Sequence, residues 1–93
     1  MQIDFDQAKR NWTLEARGLD MGRAAEVFAD TNYTTQDDRL DYGEPRWITI
    51  GFLDRRMVVM VWTQRGLTYR IISLRKANGR EQAFHGPRLG RSG

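Results

Sequence analysis

The sequence predicts an α+β domain: two N-terminal helices packed on an antiparallel sheet of three to four strands, followed by a short C-terminal helix. Three observations carry this. Residues 46–76 hold most of the β-branched and aromatic residues, in three successive runs separated by tight-turn residues. Before them stand two short segments with helical spacing, each opened by an aspartate and parted by a glycine. After them, Asn78-Gly79 ends the last run and a brief helical segment follows.

Taken in order, Ile3 to Phe5 alternates and suits a short edge strand. Asp6 can accept from the free amide hydrogens of a first helical turn, so a helix is expected from Gln7 to about Arg17, with Ala8, Trp12 and Ala16 on its inner face. Gly18 stops it, because glycine takes the left-handed conformation without a Cβ penalty. Asp20 repeats the cap for a second helix from Met21 to about Ala29, whose stripe would be Met21, Ala24, Ala25 and Phe28. Asp30 to Glu44 is polar and acidic. It reads as a solvated connection containing a short strand at Tyr33 to Thr35, since nothing in its spacing fixes a carboxylate metal site.

Arg46 to Leu53 is then a strand, and Asp54-Arg55 a hairpin turn. Met57 to Trp62 is apolar on both faces, as a central strand covered on both sides should be. Arg65-Gly66 forms the next turn. Leu67 to Lys76 is the third strand, with Tyr69, Ile71, Ser73 and Arg75 on one face and Arg70, Ile72, Leu74 and Lys76 on the other. Arg80 to Phe84 makes one or two helical turns that Gly86-Pro87 breaks. The expected organisation is one domain over residues 1–87 and a mobile basic tail over 88–93.

Composition narrows the function. The chain has no cysteine and one histidine, which removes disulfide frameworks, thiolate metal sites and histidine-rich metal sites. No phosphate-cradling glycine loop is present, and no cofactor or metal is expected. No apolar run approaches the roughly 20 residues that span a membrane, and the N-terminus lacks a signal-peptide pattern, so a soluble cytoplasmic protein without membrane contact is expected. The net charge of +3 hides an asymmetry: residues 1–45 carry 5 Lys/Arg against 10 Asp/Glu, and residues 46–93 carry 10 against 2. A basic half points to an anionic partner, with RNA or other nucleic acid foremost.

Arg46, Arg65, Arg70, Arg75, Lys76 and Arg80 lie on or beside the strands, and guanidinium groups grip phosphate bidentately at any useful pH. Trp47, Trp62, Tyr69 and Phe84 are interleaved with them, either as core or as platforms for splayed bases. RNA can be cut without a metal when its 2′-hydroxyl attacks the adjacent phosphate, given a base, an acid and cations for the charge on phosphorus. Glu81, His85, Tyr69 and Lys76 are the acid/base candidates; His85 has the most suitable unperturbed pKa.

Several of these residues together resemble the BrnT toxins of bacterial type II toxin–antitoxin systems. Phe5-Asp6, Lys9, Asn11 and Gly18-Leu19 are similar to that family's opening. Gly43, Arg46-Trp47 and Ile50-Gly51 are similar to its first core strand. Val59 to Thr63, Arg65-Gly66 and, most specifically, Arg70-Ile71-Ile72-Ser73-Leu74-Arg75-Lys76-Ala77 before Glu81 resemble its last strands and C-terminal helix. The resemblance implies a RelE-like fold and an endoribonuclease that cleaves RNA, inhibits translation and arrests growth. It implies neutralisation by a cognate ribbon-helix-helix antitoxin, through whose complex alone operator DNA is bound. By this similarity Arg46, Arg65, Arg70, Arg75 and Glu81 are carried over; joined with the reading of the residues, the catalytic candidates are Arg46, Arg70, Arg75, Glu81 and His85, and the RNA-binding ones Arg65, Lys76, Arg80, Trp47 and Tyr69. Two departures stand out. The family's Lys-His-Gly turn is Ala16-Arg17-Gly18 here, and position 48 is Ile where some relatives carry lysine. The alternative reading is a non-catalytic basic module that binds an antitoxin or nucleic acid.

Overall fold

The computed structural model describes residues 1–91. Strand β1 (Gln2–Phe5) leads into helix α1 (Gln7–Arg17). A single 3-10 turn (Met21–Arg23) opens into helix α2 (Ala24–Ala29). Strands β2 (Tyr33–Asp37), β3 (Arg46–Leu53), β4 (Arg56–Arg65) and β5 (Thr68–Lys76) follow, then helix α3 (Gly79–Leu89). The sheet runs β1-β5-β4-β3-β2. It has five strands, and it is mixed, because β1 pairs parallel with β5 while the other pairs are antiparallel.

Strand β4 is central and buried on both faces, as its unbroken apolar run requires. One face packs Leu53, Val58, Met60, Trp62, Ile71 and Leu74 under Leu19, Met21, Ala24 and Val27. The other gathers Ile50, Phe52, Met57, Val59 and Ala77, with Leu89 of α3 against them. α1 and α2 therefore belong to the first face and α3 to the second.

Both N-terminal caps form: Asp6 accepts from the Lys9 amide at 2.9 Å and Asp20 from the Gly22 amide at 2.8 Å. Gly18 closes α1 at φ 69°. The inner faces of the helices differ from expectation. Trp12 is 54 % exposed, Ala8 and Ala16 are exposed, and the inner stripe of α1 is Arg10, Thr13 and Arg17. Thr13 is buried; Arg10 grips Asp20 at 2.8 and 2.9 Å; Arg17 donates to the Leu74 carbonyl at 2.8 Å. The helix meets a carboxylate and a strand carbonyl there, so polar side chains at i, i+3, i+7 face inwards and Trp12 stays outside under the Arg17 guanidinium. Of the stripe expected for the second helix, Met21 and Ala24 are buried and Phe28 packs partly buried against the core, whereas Ala25 is exposed and Val27 takes its place.

Turns and register also shift. The β3–β4 turn is Asp54-Arg55 as expected, both residues at positive φ, with Asp54 held by Arg23 at 2.6 and 2.8 Å. The β4–β5 turn is Gly66-Leu67, since Arg65 still pairs with Thr68. Strict alternation fails in β5. Val61 pairs with Ser73 and Trp62 with Ile71, so Ile72 is an extra residue, a β-bulge. Side chains change phase across it. Tyr69 and Ile71 share the helix-covered face with Leu74, and Ser73 and Arg75 turn to the opposite face. Helix α3 is longer than expected. It passes through Gly86-Pro87 to Leu89, because a proline this near the C-terminus removes a single ladder bond. Gly90 at φ 76° and the Arg91 amide bonded to the Gly86 carbonyl close it as a Schellman motif. Residues 88 and 89 of the expected tail are therefore helical, Arg91 pairs with Asp30, and residues 92 and 93 lie outside the described part.

α2 sits directly on β3. A Cβ at Gly51 would stand 2.8 Å from Val27 Cγ1, inside any real contact, and Val27 is fully buried. Gly51→Ala is expected to lose about 1–3 kcal/mol of stability by overpacking. Val27→Ala in the same chain should recover part of that loss. Urea denaturation of the two single variants and the double variant measures both.

Candidate active site

The face of the sheet opposite α1 and α2 is covered by α3 at one side only. Between α3 and β2 lies a cavity of about 390 Å³. Its floor is Ile48 and Ile50 of β3, Val59 and Val61 of β4, and Ser73 of β5; Tyr33 and Thr35 form one wall, and Arg75, Glu81 and His85 the other. Arg39 reaches over it from the loop after β2.

Each polar side chain has a local cause. Arg75 points here because of the bulge at Ile72. Its two terminal nitrogens, Nη1 and Nη2, donate to Glu81 Oε1 and Oε2, each at 2.8 Å, a bidentate pair. Glu81 also accepts from the Asn78 amide at 2.8 Å, while Asn78 Oδ1 accepts from the Glu81 amide at 2.8 Å, a complete capping box for α3. Arg75, with burial opposing and the Asn78 amide assisting, holds the Glu81 carboxyl down to about 2. At neutral pH Glu81 is therefore an ionised, weakly basic anchor. One helical turn on, at i+4, His85 comes from the same side of α3. Its ring lies 6.2 Å from that of Tyr33 at 29° and 5.0 Å from that of Phe84 at 80°.

Arg39 was hidden within a segment read as a solvated acidic connection. The signal was Asp37, two residues before it. The Asp37 side chain is 1 % exposed and accepts from Arg39 Nε at 2.7 Å, Arg39 Nη2 at 2.8 Å and the Tyr42 hydroxyl at 3.1 Å. Arg39 above all holds the Asp37 carboxyl at about 2.

The arginines singled out from the sequence do not converge on one spot. Arg75 is at the large cavity; Arg46, Arg65 and Arg70 line a second hollow of about 200 Å³ with Lys9 and Glu44. Two of these are engaged, Arg70 with Asp4 at 2.6 Å and Arg65 with Glu44 at 3.3 Å. Arg46 stacks on the Tyr42 ring at 4.2 Å, and its Nε is buried without a hydrogen-bond partner. Lys76 and Arg80 are exposed and line neither hollow. Trp47 and Tyr69 sit on the helix-covered face. Trp62 lies 6.1 Å from Trp47 and 5.3 Å from Tyr69, and Phe28 lies 5.4 Å from Tyr69. They are parts of the core cluster, away from the cavity. Of the two departures, Arg17 has a structural bond to Leu74, and Ile48 places an apolar side chain on the cavity floor. Among the described residues no group of three or more His, Cys, Asp or Glu side chains is placed to hold a metal ion, and no helix is long and apolar enough to cross a membrane.

The Arg75–Glu81 pair gives a pH signature. Glu81 is depressed from 4.5 to about 2, so its stabilising pairing is fully present above pH 4.5 and is lost as pH falls through about 2. The stability difference between the wild-type chain and Glu81→Gln should be flat above that window and shrink within it, read by denaturation at a series of pH values.

The family model described as "Ribonuclease toxin, BrnT, of type II toxin-antitoxin system" matches residues 5–81. No curated protein matches the chain. The matched span takes in α1, α2, strands β2 to β5 and the first turn of α3, and so includes Arg75 and Glu81; His85 and Phe84 lie beyond it. With most of its length matched, this chain belongs to the BrnT family of ribonuclease toxins of type II toxin–antitoxin systems.

Proposed function

We propose that the chain is a metal-independent endoribonuclease acting in the cytoplasm, with the cavity between β2 and α3 as its active site. The observation that carries this is the meeting of Arg75, Arg39 and His85 over one concave floor, two cations and one proton acceptor. A phosphate there would face the Arg75 Nε–H and the second hydrogen of Nη2, because Glu81 and the Lys76 carbonyl occupy the other donors. His85 takes the proton from the ribose 2′-hydroxyl. The 2′ oxygen bonds to phosphorus, and the bond to the 5′ oxygen breaks. Water at the open mouth protonates the leaving oxygen, giving a cyclic phosphate and a 5′-hydroxyl. Arg75 and Arg39 stabilise the charge that builds on the phosphoryl oxygens. Glu81 fixes the plane of Arg75 and the start of α3, a positioning role.

Arg46, Arg65 and Arg70 in the second hollow hold a neighbouring stretch of the RNA backbone. RNA cleavage of this kind stops translation and growth. The family's system supplies an antitoxin partner; we assign it to the ribbon-helix-helix class on the resemblance in the sequence.

Purified chain should cut single-stranded RNA equally in EDTA. His85→Ala should slow cutting about 10²–10⁴-fold, and Arg75→Ala roughly 10²–10³-fold, with unchanged circular dichroism. RNA bound but never cut, together with unimpaired growth on expression, would overturn the nuclease reading in favour of a binding module. Separately, Arg65→Ala with Arg70→Ala should weaken RNA binding and flatten its dependence on salt, by about 0.7 per lost contact in the logarithmic slope. Binding titrations from low to high salt measure this.

A further inference from the structure

A second concavity, of about 450 Å³, adjoins the cavity and is lined by Asn32, Tyr33, Phe84, His85, Arg88 and Leu89. Tyr33 and His85 belong to both. We infer that this concavity is a nucleobase subsite, in which the base of the nucleotide next to the scissile phosphate stacks on Phe84 and Tyr33. The inference rests on the nuclease reading for its substrate class.

Four observations support it. Phe84 is 54 % exposed and Tyr33 is 52 % exposed, so two large aromatic side chains are half open to solvent beside the one histidine. Arg88 lies over the Phe84 ring at 3.8 Å and is anchored by a hydrogen bond from Nη1 to the Phe84 carbonyl, which places a flat cation at the same wall. Asn32 has both amide hydrogens committed, to the Phe28 and Asp30 carbonyls at 3.2 and 2.8 Å. Leu89 contributes an apolar side. Aromatic faces beside an arginine and an apolar wall are the elements of sequence-tolerant base stacking. The shared residues give the geometry: a phosphate between Arg75 and His85 has its neighbouring nucleoside at the Tyr33–His85 rim. The Trp47–Trp62–Tyr69 cluster has no such position, being packed beneath α2.

The test uses the full chain and a short single-stranded 2′-O-methyl oligonucleotide, which cannot be cut, carrying one 2-aminopurine. Binding to the wild-type chain should quench the 2-aminopurine at one position of the register. Phe84→Ala should remove most of the quench and weaken binding roughly five- to 150-fold, and Phe84→Trp should keep both. An abasic site at that position should weaken wild-type binding but add little to Phe84→Ala. If Phe84→Ala binds the oligonucleotide and cuts RNA as the wild type does, the subsite is wrong and the nuclease stands. If the quench is lost in Phe84→Ala while no RNA is ever cut, the subsite stands without the nuclease. If the wild-type chain does not bind the oligonucleotide, both fall, and the aromatic wall belongs to a protein partner.

Discussion

The carboxylate of Glu81 is where the sheet, the C-terminal helix and the candidate-site cavity are tied together. It takes two hydrogen bonds from Arg75 on β5 and one from the Asn78 amide at the start of α3. Charge-assisted bonds of this kind are short and directional. They set the direction in which α3 leaves the sheet, and that direction brings His85 over the floor and Phe84 to its rim. The Schellman closure at Gly90 and the contact of Leu89 with the second core cluster hold the far end of the same helix. A helix of eleven residues is thereby fixed at both ends.

A division of labour follows between the two faces of the sheet. The face under α1 and α2 is apolar and closed, and it contains the tryptophans and Tyr69. The other face is only partly roofed, and its polar groups are grouped by ion pairs into two hollows. Pairing with Asp37, Glu81, Asp4 and Glu44 lets arginines stand together without mutual repulsion. The acidic N-terminal half and the basic C-terminal half thus meet across the fold, and the paired guanidinium groups are held in fixed orientations.

Most of the architecture was legible in the sequence because its signals are local. Asp6 and Asp20 mark helix starts, Gly18 a helix end, and the apolar run from Met57 the central strand. What was not legible depends on partners distant in sequence. The inner face of α1 is polar because it meets Asp20 and the Leu74 carbonyl, which no helical periodicity announces. Proline at 87 sits in the last turn of α3, where it removes a single ladder bond and the helix runs on to Leu89. The candidate site was half legible: Arg75, Glu81 and His85 do line one cavity, whereas Arg46 and Arg70 line another. Arg39 and Tyr33 went unseen because a polar loop and an edge strand carry no periodic signal of their own.

The extra residue at Ile72 makes β5 a strand of two phases. From Tyr69 to Ile71 it follows the core set by α2; from Ser73 to Arg75 it follows the open face. Register is therefore as much a determinant of this site as chemistry. Flattened into regular alternation with Ile72 kept, the strand would put Ile71, Ser73 and Arg75 on one face, and would have to choose between burying Arg75 beneath the helices and turning Ile71 out of the core. The bulge lets one strand serve the apolar layer beneath the helices and the open face of the sheet at once.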